Sequence, residues 1–370
     1  MQAAPGGPVG HATDRPLRAL VPSRAGALAL LLLLSGCASG PSPPATGRVA
    51  VAPPGSPAVE LTYLGVGGWI LSWRDRTVLA APLFSNPSIL RTGLAPISSD
   101  TAAVDRWMEP YDVADARAIL VGHGHYDHLM DVPRVARRHA PRARILGSRT
   151  VRNLLGRWSG LSERVTEVEA WAGTGRLPGR WIELGDAVRV MPLESHHAPH
   201  FEGRTLYSGT AEVPRRDAPS SAAEWLDGPT FAYLVDFLHA DGSVALRLYY
   251  QDAVAQAPWG FPPATLLAER PVDVAILAPA TFDQVDWHPE ALVAHLRPRW
   301  VLLGHWEDFF RSPGLPVEPL PVADLGYFEA RLDRALGGLE GRFWRPEPFT
   351  VFRFPVAGMG AGVQQRHPGS

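Results

Sequence analysis

Residues 122–131 read GHGHYDHLMD, directly after the apolar run AILV at 118–121. Three of the chain's 13 histidines and an aspartate fall within six positions. Such a cluster needs a backbone that aims several side chains at one place. His123 and His125 are two apart, and alternate residues of extended chain point the same way. Gly122 and Gly124 allow the backbone to turn tightly between them. Asp127 and His128 follow one residue later, where the turn aims them at a neighbouring position. Imidazoles with a carboxylate suit Zn²⁺ or a similar first-row ion.

A two-ion site needs more ligands, and sheet folds gather them at strand ends. Three further stretches place polar residues there. ESHHAPH follows the run VRVMPL and offers His196, His197 and His200. YYQDA ends a strand-like run and offers Asp252. LLGHWEDFF follows WVLL and offers His305.

Between these points the pattern is of short strands. ELTYLG (60–65), WILSW (69–73) and TVLAAP (77–82) read as a hairpin meander. WIEL and VRVMPL flank Gly185-Asp186, and FAYLVDF and VALRLYYQ flank Asp241-Gly242, both hairpin signals. From 263 onward helix and strand patterns alternate: PATLLAER, VDVAIL, PEALVAHL, WVLL, then an amphipathic helix over about 322–336. Asp131 is placed to cap a helix starting at Val132, with Pro133 in its first turn. Two sheets packed together with helices outside account for this order.

The set His123, His125, Asp127 and His128, followed in order by a histidine, Asp252 and His305, resembles the metallo-β-lactamase superfamily over about residues 60–356. The resemblance implies an α/β fold, the αββα sandwich of two mixed sheets flanked by helices. It also implies two divalent metal ions at one sheet edge, zinc by preference, with iron or manganese as alternatives. By position, His123, His125 and one histidine of the 196–197 pair hold the first ion. Asp127, His128 and His305 hold the second, and Asp252 bridges them. Related sequences often read S-x-H-A-P-H, which favours His197 and leaves His200 on the substrate side. Many relatives carry a second aspartate in a T-D-P run. Ala80-Ala81-Pro82 stands there instead, so either the first ion is held more weakly or another group such as Ser85 or Asn86 substitutes. H-x-H-Y-D-H-L and G-H-W are shared with the branch of N-acyl phosphatidylethanolamine phospholipase D and the ascorbate-phosphate lactonases.

Such a site implies a metal-dependent hydrolase. Two ions bridge one hydroxide, lowering its pKa towards 7, and it attacks carbon or phosphorus. Asp127 and Asp252 orient the nucleophile. His200, Tyr126, Glu307 and Asp308 are candidate acids for the leaving group, His200 first. The leading expectation is a phosphodiester, phospholipid-like or another small molecule. Alternatives are a lactone or other ester, and a non-catalytic metal-binding lipoprotein. Two inserts, 84–111 with Phe84, Ile89, Leu90, Leu94, Trp107 and Met108, and 201–230, are expected to line the mouth.

Residues 27–34 read ALALLLLL, after Arg15, Arg18 and Arg24 and before Ser35-Gly36-Cys37. That is a secretory signal, too short to span a membrane. LSGC resembles a bacterial lipobox. The implied layout is a signal peptide over 1–36, lipidation of Cys37, a Pro/Gly-rich tether over 37–58, a domain over 59–356 and a disordered tail over 357–370. With Ala38 next, the implied location is the outer membrane, facing the periplasm. Cys37 is the only cysteine, so no intramolecular disulfide forms. A net charge of −2 gives no global pull towards nucleic acid, and all 35 basic residues are arginine.

Overall fold

The computed structural model describes residues 48–338 and 341–356. The signal, Cys37, most of the tether and the tail lie outside the described residues. No helix among the described residues is long and apolar enough to cross a membrane.

The strands, in chain order, are β1 (Arg48–Ala50), β2 (Ala58–Gly65), β3 (Gly68–Trp73), β4 (Arg76–Ala80), β5 (Ala118–Leu120), β6 (Arg144–Gly147), β7 (Val165–Glu167), β8 (Ile182–Glu183), β9 (Val188–Ser195), β10 (Thr230–Leu238), β11 (Val244–Tyr250), β12 (Val274–Leu277), β13 (Trp300–Leu303), β14 (Phe343–Trp344) and β15 (Val351–Pro355). The helices are α1 (Ile89–Leu94), α2 (Thr101–Met108), α3 (Tyr126–Leu129), α4 (Val132–Arg138), α5 (Arg149–Leu154), α6 (Ala264–Glu269), α7 (Glu290–Leu296) and α8 (Leu325–Ala335). Among the described residues one sheet has eight strands in the order β1-β15-β2-β3-β4-β5-β6-β7, and the other seven in the order β14-β13-β12-β11-β10-β9-β8. Both mix parallel and antiparallel pairs. This is the expected αββα sandwich.

Period-two alternation builds the layers. In the first sheet Leu61, Tyr63, Trp69, Leu71, Val78 and Leu120 enter the core between the sheets. Their neighbours Leu64, Ile70, Leu79 and Ile119 face outward, where Val104 and Met108 of α2, Val135 of α4 and Val151 of α5 cover them. On the other side α7 and α8 bring Leu292, Leu296, Phe328 and Leu332 against the second sheet. The parallel strands β12 (VAIL) and β13 (WVLL) are buried along their whole length, as sheets covered on both faces require. Gly185 and Gly242, at φ 96° and 82°, make the two hairpin turns that the sequence marks.

Two features differ from expectation. Residues 48–50, within the stretch expected as tether, pair with 351–353 as the edge strand β1. Asp131 occupies the N-cap position of α4 but its side chain does not cap. The carboxylate is fully buried and takes hydrogen bonds from Phe84 N, Ser85 N and Ser85 Oγ at 2.6–2.8 Å instead. A buried charge needs several donors, and that segment supplies three.

Candidate metal centre

Four strands of the two sheets deliver the site residues from their C-terminal ends. His123 lies three residues beyond β5. His197, Asp252 and His305 each lie two beyond β9, β11 and β13. The single turn α3 begins one residue after His125 and carries Asp127 and His128. His123 and Asp252 are fully buried, and His125, Asp127, His128 and His305 nearly so.

Three groups of donor atoms, each within 4.8 Å of one another, form a chain: His123, His125 and His197; His123, His128 and Asp252; Asp127, His128 and His305. The first and last match the two expected ion-holding sets. Asp252 stands between them, with Oδ2 2.7 Å from His123 Nδ1 and Oδ1 3.0 Å from His128 Nδ1. Asp127 Oδ2 lies 3.2 Å from His305 Nε2 and 3.4 Å from His128 Nε2.

The donor set fits divalent ions. His197 Nδ1–H donates to its neighbour's carbonyl, Ala198 O, at 2.6 Å, which leaves the Nε2 lone pair free. His123 donates from Nδ1 to Asp252, and its Nε2 has no hydrogen-bond partner among the described residues. The same is true of His125 Nε2 and His305 Nδ1. Buried polar atoms left without partners are uncommon, and ring nitrogens gathered like this suit metal coordination. Burial lowers the pKa values of His125, His197 and His123, which keeps those rings neutral as ligands must be. Burial works against the Asp252 charge, but His128 and His123 outweigh it and hold the carboxyl well below its usual range. Burial likewise opposes the Asp127 charge, and His128 and His305 outweigh it. Burial would lower His128 too, yet Asp252 and Asp127 push it up to about 10, so an ion taken up there would have to displace that proton.

Of the 196–197 pair, His197 enters the first group. His196 is exposed and stacks on Trp259 at 3.8 Å. His200 stacks on His197 at 4.5 Å and accepts the Leu206 N–H on Nδ1 at 3.1 Å, so its proton sits on Nε2. Burial lowers its pKa to about 4. His200 is therefore neutral at pH 7, with Nε2–H as its donor. Glu307 is not placed to act on substrate: it is buried, and its oxygens take Tyr63 O–H and Val66 N–H. Asp308 accepts the Phe310 N–H. Burial keeps the Tyr126 phenol protonated, and it hydrogen-bonds Thr92 of α1. Neither Ser85 nor Asn86 reaches a ligand: Ser85 Oγ donates to Asp131 and Asn86 Nδ2 to Phe309 O.

Tyr250 is a site residue that the motif search misses. Its hydroxyl donates to Asp252 Oδ1 and lies 2.9 Å from Gly67 O. The spacing carried the signal, because residues two apart in a strand share a face. Beside His197 a cavity of about 670 Å³ opens, walled by Glu169, Glu194, Ser195, Asp227 and Phe231 among others. No arginine lines it among the described residues. Of the expected lip residues, Phe84 and Met108 are buried in the fold, while Ile89, Leu90 and Leu94 of α1 stay exposed.

A family model described as "Beta-lactamase superfamily domain" matches residues 98–306, a span that contains every candidate ligand. No curated protein matches. Among solved structures, the chain is similar to a metallo hydrolase from the hyperthermophilic archaeon Ignicoccus hospitalis, at 16% identity, covering 80% of this chain and 98% of that one, with a TM-score of 0.46. It is similar to a possible metal-dependent hydrolase from Veillonella parvula, at 11% identity over 80% and 98% of the two chains, with a TM-score of 0.48. An isothiocyanate hydrolase from Delia radicum gut bacteria gives 11% identity over 80% and 100%, with a TM-score of 0.47.

Proposed function

The chain belongs to the beta-lactamase superfamily, and we propose that it is a metal-dependent hydrolase that uses two divalent ions, zinc by preference, to hydrolyse a phosphodiester at the surface of a membrane. The chain of three buried donor groups carries the two-ion reading, because each end group supplies three donors and Asp252 touches both. When bound, the ions supply Lewis acidity and a water made nucleophilic near neutral pH. Asp127 and Asp252, held ionised, would orient such a water and be placed to accept its proton. His200, neutral at pH 7, would stabilise the departing oxygen through a hydrogen bond from Nε2–H, and solvent would supply that oxygen's proton. Tyr250 fixes one Asp252 oxygen and leaves the other to His123.

The cavity sets the charge a substrate brings. Glu169, Glu194 and Asp227 line it without a compensating arginine. A phosphodiester carries one negative charge, and that charge belongs at the ions. Further negative charge, such as the second charge of a phosphomonoester or the carboxylate a β-lactam carries away from its scissile bond, would face carboxylates. The same lining favours a neutral ester or lactone as the second reading.

The membrane part rests on the lipobox-like LSGC and on where the domain begins. Ten residues, 38–47, separate Cys37 from β1, a reach of at most about 35 Å. Arg48 pairs with Val351, and Val351 with Thr62 of β2, at the end of the sheet where Val66 meets His305. Leu90 and Leu94, 72% and 85% exposed, lie on α1, whose Thr92 hydrogen-bonds Tyr126 between His125 and Asp127. A lipidated Cys37 on the periplasmic face of the outer membrane would hold that mouth near lipid substrates.

The test is turnover of bis(p-nitrophenyl) phosphate by purified protein with zinc or manganese, against Asp127→Ala. Turnover lost in the variant is the expected result. Cleavage of p-nitrophenyl acetate or a lactone without the diester selects the second reading. Neither activity, in protein that carries two ions, refutes both.

A further inference from the structure

Val66 and His305 both have left-handed backbones, at φ 54° and 55°. For a β-branched residue that conformation is a genuine outlier, and such residues persist only where the surroundings over-determine them. Here the two positions hold each other. The His305 N–H donates to Val66 O at 2.7 Å and approaches the Tyr63 hydroxyl at 3.1 Å. The Tyr63 hydroxyl donates to Glu307 Oε2, and the Val66 N–H donates to Glu307 Oε1. All four residues are buried. A Cβ on Gly65 would lie 3.0 Å from Glu307 Oε1, so the turn closes directly on the carboxylate.

The same turn presses on the rest of the second ion's ligand set. A Cβ on Gly67 would come within 2.8 Å of His128 Nδ1 and 3.0 Å of the Tyr250 hydroxyl. Gly67 O lies 2.9 Å from that hydroxyl, which in turn holds Asp252. Among the described residues, none of the atoms nearest a Cβ on Gly65, Gly67 or Gly68 belongs to His125 or His197, which follow the ends of β5 and β9.

We infer that the buried Tyr63–Glu307 pair is a positioning device for the second ion: it fixes the 65–67 turn and His305, and so sets the affinity of the Asp127–His128–His305 set separately from the first set. Glu307 acts through His305 and touches no substrate. The inference rests on the two-ion part of the proposed function and is independent of the substrate.

The experiment strips the full-length protein of metal and titrates it with Co²⁺ against a chelator, following each ion by its own absorption band. Wild type that takes up only one ion refutes the two-ion reading before any variant is considered. In Glu307→Ala the second ion should bind about 10–100-fold more weakly, the loss typical of residues that hold metal ligands from behind, with the first within two-fold of wild type. Glu307→Gln keeps an acceptor for Val66 N–H and should restore part of that loss. Should the alanine variant not fold, Tyr63→Phe removes the bridge and keeps the carboxylate, with the second ion again selectively weakened. Equal weakening of both ions, or no change in either, overturns the inference.

Discussion

Gly122 links the first strand end to the carboxylate between the two donor sets, and replacing it with alanine should disable the centre from within. Its φ is not in the left-handed region, so backbone freedom is not the issue; space is. A Cβ there would lie 2.3 Å from Asp252 Cβ, 2.4 Å from its Oδ2 and 2.6 Å from its Cγ. Carbon atoms pack at about 3.5–4.0 Å, so Asp252 must shift by about 1 Å. Its Oδ2 contact with His123 is only 2.7 Å long, and a shift of that size breaks it. Hydrogen bonds to charged groups contribute about 1.5–3 kcal/mol, and overpacking costs about 1–3 kcal/mol. The Gly122→Ala protein should therefore lose about 2.5–6 kcal/mol of stability and bind ions at least about 10-fold more weakly. Thermal melting and chelator competition measure the two effects. Gly93→Ala on α1 is the control, because nothing lies within 4 Å of a Cβ there. If Gly122→Ala melts with the control and binds both ions as wild type does, the argument from close approach is wrong.

Asp236 is buried between Arg247, at 2.7 Å, and Arg189, at 2.9 Å. Asp236→Ala strands a buried guanidinium and should cost about 3–5 kcal/mol in urea denaturation, with ion content per folded molecule unchanged. Tyr250→Phe removes the donor to Asp252 and should cost about 1.5–3 kcal/mol, with ion binding weakened several-fold in the same titration. Burial lowers the pKa of His288 to about 4. Its unfolded value is about 6.5, so the unfolded chain binds the extra proton between those values. Its contribution, up to about 3 kcal/mol, is complete above pH 6.5 and lost as pH falls towards 4. The drop in unfolding free energy from pH 7.5 to 4.5 should be smaller in His288→Asn than in wild type.

What could be read in the sequence was local or tied to strand ends. Three histidines and an aspartate within one loop announce themselves, and Asp252 and His305 follow apolar runs that leave few other roles. The choice of His197 over His196 needs tertiary contact. His196 turns outward onto Trp259, more than sixty residues later, and no spacing rule connects them. Glu307 looks like an available acid until Tyr63 and Val66 are seen to occupy it. Strands β1 (RVA), β7 (VTE) and β14 (FW) are too short to show alternation. They form because β15, β6 and β13 offer them an unpaired edge, and those hydrogen bonds are invisible until the sheet exists. Ile89 and Phe84 have similar hydropathy in the same insert, yet one is exposed and the other buried. Asp131 separates them, because its carboxylate draws the backbone of 84–85 into the core and lets the chain beyond Asn86 swing out.

The centre also ties the halves of the fold together. His123, His125, Asp127 and His128 follow β5 in the first sheet, whereas His197, Asp252 and His305 follow β9, β11 and β13 in the second. Each expected ion set therefore takes two residues from one sheet and one from the other. At this edge the sheets are joined by Phe231 N to Gly122 O at 2.8 Å and by the Tyr233 hydroxyl to Val121 O and Leu146 O at 3.0 and 3.1 Å. At the far end Trp73 Nε1 of β3 donates to Leu238 O of β10 at 3.0 Å, and ions held across the site edge would add cross-links of their own there. Ligands that bind only the folded state stabilise it by mass action, about 2.7 kcal/mol at a hundred times the dissociation constant. Motion that splays the sheets would break both ion sets at once, so the edge most open to substrate is also the one that bound ions would do most to close.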